Sequence, residues 1–179
     1  MRLIKLVLLI ACFAAVASAH TVTCWGDDRR KAGTHKGTKA GIEFLEKIQK
    51  GNWKDLDKAG MTRFEYEHGR YKFVSARPSS CEQIHCHDDG KGLYSAIWFC
   101  NDEWTKVRSM EIEHVLEAIW IIKEDCEVAN DAMFVGGELL QPDLWRVKIQ
   151  KPKKGQCYKK WPALGDVPNI PNCAYDACK

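Results

Sequence analysis

The chain has 179 residues, with 27 Lys and Arg against 24 Asp and Glu, nine cysteines and seven tryptophans. That length suits one domain with its own core and is short for two. The small basic excess shrinks further once Arg2 and Lys5 are set aside. A near-neutral balance argues against a dedicated nucleic-acid binder, whose affinity comes from concentrated Lys and Arg.

Met1 to Ala19 reads as a secretory signal peptide. Arg2 and Lys5 flank its start, Leu6 to Val16 is almost unbroken apolar sequence, and Ala17-Ser18-Ala19 is a small-residue cleavage site. The apolar run is too short to span a bilayer as a helix, and no second stretch of spanning length follows, so stable membrane insertion is not expected. Cys12 would leave with the signal. The remaining cysteines, Cys24, Cys81, Cys86, Cys100, Cys126, Cys157, Cys173 and Cys178, are even in number, which on a secreted chain implies a disulfide framework of undetermined connectivity. No Asn-x-Ser/Thr sequon is present.

From His20 onward the elements come in this order. Thr21 to Trp25 is a strand ending at Gly26-Asp27-Asp28, and Arg29 to Lys39 is a polar, basic loop. Ile42, Phe44, Leu45 and Ile48 recur at helical spacing up to Gly51, predicting a first amphipathic helix. Phe64 to Val74 alternates apolar and charged residues around His68-Gly69, predicting a hairpin with Phe64, Tyr66, Tyr71 and Phe73 on its buried face. A loop from Arg77 to Gly92 carries Cys81 and Cys86, and Leu93 to Cys100 is a central strand closed by Asn101-Asp102. Ser109 is placed to cap a second helix whose apolar face runs through Ile112, Val115, Leu116, Ile119, Trp120 and Cys126. Phe134 to Leu140 and Leu144 to Ile149 are two further strands joined by Gln141-Pro142-Asp143. These elements define an α+β domain over residues 20–150, an antiparallel sheet of about five to six strands with two helices packed on one face. Residues 151–179 form a Pro- and Lys-rich tail with three cysteines, expected to be stapled back onto the domain.

Few residue patterns point to chemistry. Cleavage after Ala19 would make His20 an N-terminal copper chelator, provided that a second histidine from among His35, His68, His85, His87 and His114 is held opposite. His85 and His87 would share one face if their segment were a strand, beside Cys86, Asp88 and Asp89. A cysteine nucleophile is disfavoured by the even count, and no Gly-x-Ser-x-Gly, phosphate loop or dinucleotide fingerprint occurs. Catalytic residues and cofactors are therefore not expected. Trp98, Trp120 and Trp145 fall on elements and are assigned to the core. Trp53, Trp104 and Trp161 fall in loops, where an aromatic packs inward or anchors a partner.

The succession Ser95 to Asp102, a helix ending Ile121-Ile122-Lys123-Glu124-Asp125-Cys126, then Gly136-Gly137-Glu138 and Leu144 to Ile149 resembles the core of fungal small secreted cysteine-rich proteins of the necrosis-inducing effector and killer-toxin-like group. The likeness covers Gly92 to Gln150, and of the cysteines only Cys100 and Cys126 correspond. It implies an α/β sandwich, no enzymatic activity and a role between a fungus and its host or competitors. The expected function is that of a secreted, monomeric, non-catalytic effector or toxin acting on an unknown host or competitor protein or cell-surface component. The alternatives are a killer-toxin-like channel or membrane-active protein, and a copper-binding protein or small hydrolase using His20.

Overall fold

Five antiparallel strands carry the main sheet in the computed structural model, which describes residues 20–26, 28, 30–51, 64–67, 70–88, 93–127, 133–153 and 157. In chain order the elements are β1 (Thr21–Cys24), β2 (Gly33–Thr34), α1 (His35–Gln49), β3 (Phe64–Glu67), β4 (Arg70–Ala76), β5 (Ser80–Asp88), β6 (Tyr94–Asn101), β7 (Arg108–Glu111), α2 (Ile112–Cys126), β8 (Phe134–Val135), β9 (Gly137–Gln141) and β10 (Trp145–Gln150). The main sheet runs β1-β9-β10-β6-β5, and two small sheets, β2-β8 and β3-β4-β7, flank it. Every pairing is antiparallel. This is the α+β architecture that the order of the elements predicts.

Period-two alternation sets which way β6 and β10 face. Ile97 and Phe99, with Trp145, Val147 and Ile149, are buried in one core with Ile42, Leu45 and Ile48 of α1 and Val115, Ile119 and Ile122 of α2. Fully burying one such side chain is worth about 1.5–3 kcal/mol, so this layer dominates the stability.

Several expectations are corrected. The loop Arg29 to Lys39 is not a loop throughout, because β2 and the first turn of α1 occupy its second half. Thr34 caps the helix, its Oγ1 accepting from the Gly37 amide at 3.0 Å. Glycines at Gly37 and Gly41 let this end of α1 lie directly on the sheet. A Cβ on Gly37 would stand 2.4 Å from Ser95 Cβ, and one on Gly41 would stand 2.3 Å from Ile97 Cδ1. The contact is made by missing side chains, so it leaves no apolar periodicity to read.

The segment taken as a loop after Arg77 is instead the nine-residue strand β5. One of its buried polar residues is paired within the fold: Glu82, almost fully buried, takes the Arg77 Nε at 3.0 Å. Ser109 does not cap α2. It lies in β7 with its Oγ 2.8 Å from Ser75 Oγ, and Glu111 is the residue preceding the helix. On α2, Ala118 and Ile122 face the core and Trp120 is 42% exposed, with Lys123 Nζ over its ring. The hairpin β3-β4 forms as predicted, but it is Val74 and Ala76 that enter the core, while Phe73 is half-buried. A register irregularity between Glu65 and Tyr66 breaks the simple alternation. The predicted strand from Phe134 to Leu140 is split at Gly136, β8 pairing with β2 and β9 with β1 and β10.

Three disulfides among the described residues fix the arrangement. Cys24–Cys126 ties β1 to the end of α2, Cys81–Cys100 joins directly opposed residues of β5 and β6, and Cys86–Cys157 fastens the start of the tail to β5. Cys100 and Cys126 thus belong to different bonds. Cys173 and Cys178 lie outside the described residues. No helix among the described residues is long and apolar enough to cross a membrane.

Candidate functional site

At one end of the main sheet, β6 stops at Asn101, β10 begins at Trp145 and β5 begins at Ser80, all in one row of the ladder. The loop leaving Asn101 is held by that residue's fully buried side chain. Asn101 Nδ2 donates to the Ala76 carbonyl at 3.2 Å and to the Lys106 carbonyl at 2.8 Å, and its Oδ1 accepts from the Glu103 amide at 3.0 Å. All three bonds need an amide side chain, because only an amide offers two N–H donors and an acceptor together.

Glu103 repeats the device one step out. Its Oε1 accepts from the Trp104 amide at 3.0 Å, the Thr105 amide at 3.3 Å and the Thr105 hydroxyl at 3.0 Å. These bonds, led by that from the Thr105 hydroxyl, hold the Glu103 carboxyl below its ordinary range. A further bond, from the Ser79 amide to the Glu103 carbonyl at 2.9 Å, ties the loop to the turn before β5.

The product of these constraints is Trp104, an indole that is 80% exposed on a loop whose backbone is fixed at both ends. Of the two expectations for a loop tryptophan, packing inward or standing outward, Trp104 follows the second, on a loop held by the Asn101 and Glu103 bonds. Trp145 is in the core beside Phe99, as assigned, whereas Trp98, also assigned to the core, is half-buried and stands outside it. Trp53 and Trp161 lie outside the described residues.

The same end carries a second outward apolar residue that sequence reading missed. Leu144, in the turn between β9 and β10, is 47% exposed and has φ 67°, an uncommon backbone for a branched residue. Its carbonyl accepts from the Asp102 amide at 2.9 Å, and neighbouring Asp143 holds Arg108 Nη1 at 3.0 Å. Val107 is exposed nearby in the chain. The signal for Leu144 was weak but present, since Gln141-Pro142-Asp143 closes a turn and leaves the next residue on its rim. Around the apolar residues the charges are mixed. Arg146 reaches Asp102 at 3.1 Å and Glu138 at 3.6 Å, and Lys148 reaches Glu138 at 3.5 Å. Burial raises the Asp102 carboxyl above its usual range, against the pull of Arg146 and Lys148.

The histidine candidates lie elsewhere. His85 and His87 do share one face of a strand, pairing with Ile97 and Ser95 beneath α1. Burial, and secondarily His87, lowers His85 to about 4, so its imidazole is neutral across the physiological range. His20 is exposed just before β1, and His114 is exposed on α2. No cluster of three or more His, Cys, Asp or Glu side chains with metal-binding geometry gathers among the described residues. Comparison of the chain with known protein families, with curated proteins and with solved structures finds no match.

Proposed function

We propose that this chain is a secreted, disulfide-stapled protein that acts on a host or competing organism by binding, without turnover, through the sheet end that displays Trp104. The observation that carries the reading is the fixed, outward Trp104 loop. An exposed indole costs hydration free energy, and it is a strong recognition anchor when its loop is ordered beforehand, since little conformational entropy is then lost on binding. Leu144 and Val107 supply flanking apolar contact, and the ring of mixed charge suits a protein or cell-surface partner more than a nucleic acid. The three disulfides suit an oxidising, extracellular setting, in keeping with the signal-like Met1 to Ala19.

The test applies the oxidised, purified protein and its Trp104→Ala variant side by side to plant tissue and to competing fungal cultures. Necrosis, an altered immune response or growth arrest with the parent, lost in the variant while its circular dichroism is unchanged, is the expected result. A variant as potent as the parent removes the surface from the proposal, and inertness of both proteins in both settings removes the effector or toxin role.

A further inference from the structure

Under the first turns of α1, three polar atoms are buried without a hydrogen-bond partner among the described residues: His85 Nε2, His87 Nε2 and Ser95 Oγ. They are neighbours. His85 and His87 alternate on one strand and so project from the same face, and Ser95 is the direct cross-strand partner of His87. The glycine face of α1 roofs them. A Cβ on Gly37 would lie 2.4 Å from Ser95 Cβ and 3.3 Å from His87 Cβ, and one on Gly41 would lie 3.0 Å from His85 Cδ2. Leaving buried donors and acceptors unpaired is costly, so such a group of atoms points to something that they hold. His85 is more than nine-tenths buried, whereas His87 is half-buried and precedes exposed Asp88 at the end of β5.

We propose that His85 and His87 bind a single copper(I) ion through their Nε2 atoms, with the Ser95 hydroxyl beside it. The donor set selects the metal. Zinc and the other divalent ions favour four or more ligands, whereas this strand face offers two imidazoles, and among the described residues no group of three or more His, Cys, Asp or Glu is placed to hold a metal. Copper(I) is satisfied by two imidazole nitrogens. A monovalent, weakly hydrated ion is also the least costly to bring into a dry site, because the solvation penalty grows steeply with charge.

The experiment is a copper(I) titration of the disulfide-intact mature protein, under ascorbate and against a colorimetric copper(I) chelator. His20→Ala is the background, so that the N-terminus does not compete. The expected result is uptake of one equivalent, abolished by His85→Gln and by His87→Gln separately, with near-ultraviolet circular dichroism retained. Absence of uptake by the His20→Ala protein, or uptake undiminished in both histidine variants, overturns the proposal and leaves buried water as what the three atoms hold. Should the variants fail to fold, imidazole nitrogen resonances decide on the parent. Copper(I) must shift both the His85 and the His87 Nε2 signals, and movement of one or neither overturns the site.

Discussion

Asn101 donates a hydrogen bond of 2.8 Å to the carbonyl of Lys106, closing the loop whose tip is Trp104. The same amide group also bonds to Ala76, in the three-stranded sheet. One buried side chain therefore positions the candidate binding loop against two different sheets.

Replacing Asn101 by Ala removes three bonds and leaves the Ala76 and Lys106 carbonyls and the Glu103 amide seeking partners. Each buried group so orphaned costs about 1–3 kcal/mol, so urea unfolding of Asn101→Ala is expected to show a loss of at least about 2 kcal/mol. Trp104→Ala, at an exposed position, is expected to stay within about 0.5 kcal/mol of the parent. If the two variants are equally stable, Asn101 does not hold the loop.

Acid is expected to loosen the loop through Glu103. Its carboxyl is lowered in the fold, so the unfolded chain binds the proton more readily, and the contribution is complete above the ordinary glutamate range. It disappears as pH falls through the depressed folded value. Protection of the Trp104 and Thr105 amides, taken relative to the unstructured exchange rate at each pH, should fall on acidification over that interval, and Glu103→Gln should remove most of that fall. A loop equally protected throughout the titration would contradict this assignment.

Leu144→Gly separates backbone comfort from surface chemistry. Relieving the left-handed conformation of a branched residue recovers about 1–2 kcal/mol, and the added freedom of the unfolded chain takes back about 0.5–1 kcal/mol. Thermal melting is therefore expected to be unchanged or slightly higher, while potency in the tissue or culture assay falls. A large destabilisation would show that Leu144 is held for packing.

The disulfides should differ in worth. Cys24–Cys126 spans 102 residues and Cys81–Cys100 spans 19. In the chain-entropy picture, loops of roughly 100 and roughly 15 residues give about 4.7 and about 3 kcal/mol. The double replacement Cys24→Ser with Cys126→Ser is expected to lower stability more than Cys81→Ser with Cys100→Ser, read from non-reducing urea melts. Six cysteines are engaged in these bonds among the described residues; if cleavage after Ala19 takes Cys12, two are left, and peptide mapping is then expected to find Cys173 joined to Cys178.

What could be read from the sequence tracks where burial is made by apolar side chains. Ile112, Val115, Leu116 and Ile119 announced α2, and the alternation of Trp145, Val147 and Ile149 announced β10. The start of α1 was hidden because Gly37, Thr38 and Gly41 make its inner face by close approach. Strand β5 was hidden because Glu82, Gln83 and His85 look like loop residues until Arg77 and the roof of α1 are folded around them. In the candidate site, Trp104 was legible as a loop aromatic, but its outward direction depends on Asn101 reaching Ala76, a contact 25 residues distant that local pattern does not encode.

The bond between Cys24 and Cys126 has a consequence for durability. A protease that cuts the backbone once anywhere between these two residues produces two pieces that remain one covalent molecule, because the first piece keeps Cys24 and the second keeps Cys126. Strand β1 would stay hydrogen-bonded to β9 across such a nick. In protease-rich surroundings a single cleavage is thus survivable, and dispersal of the fragments requires a reductant as well as an enzyme.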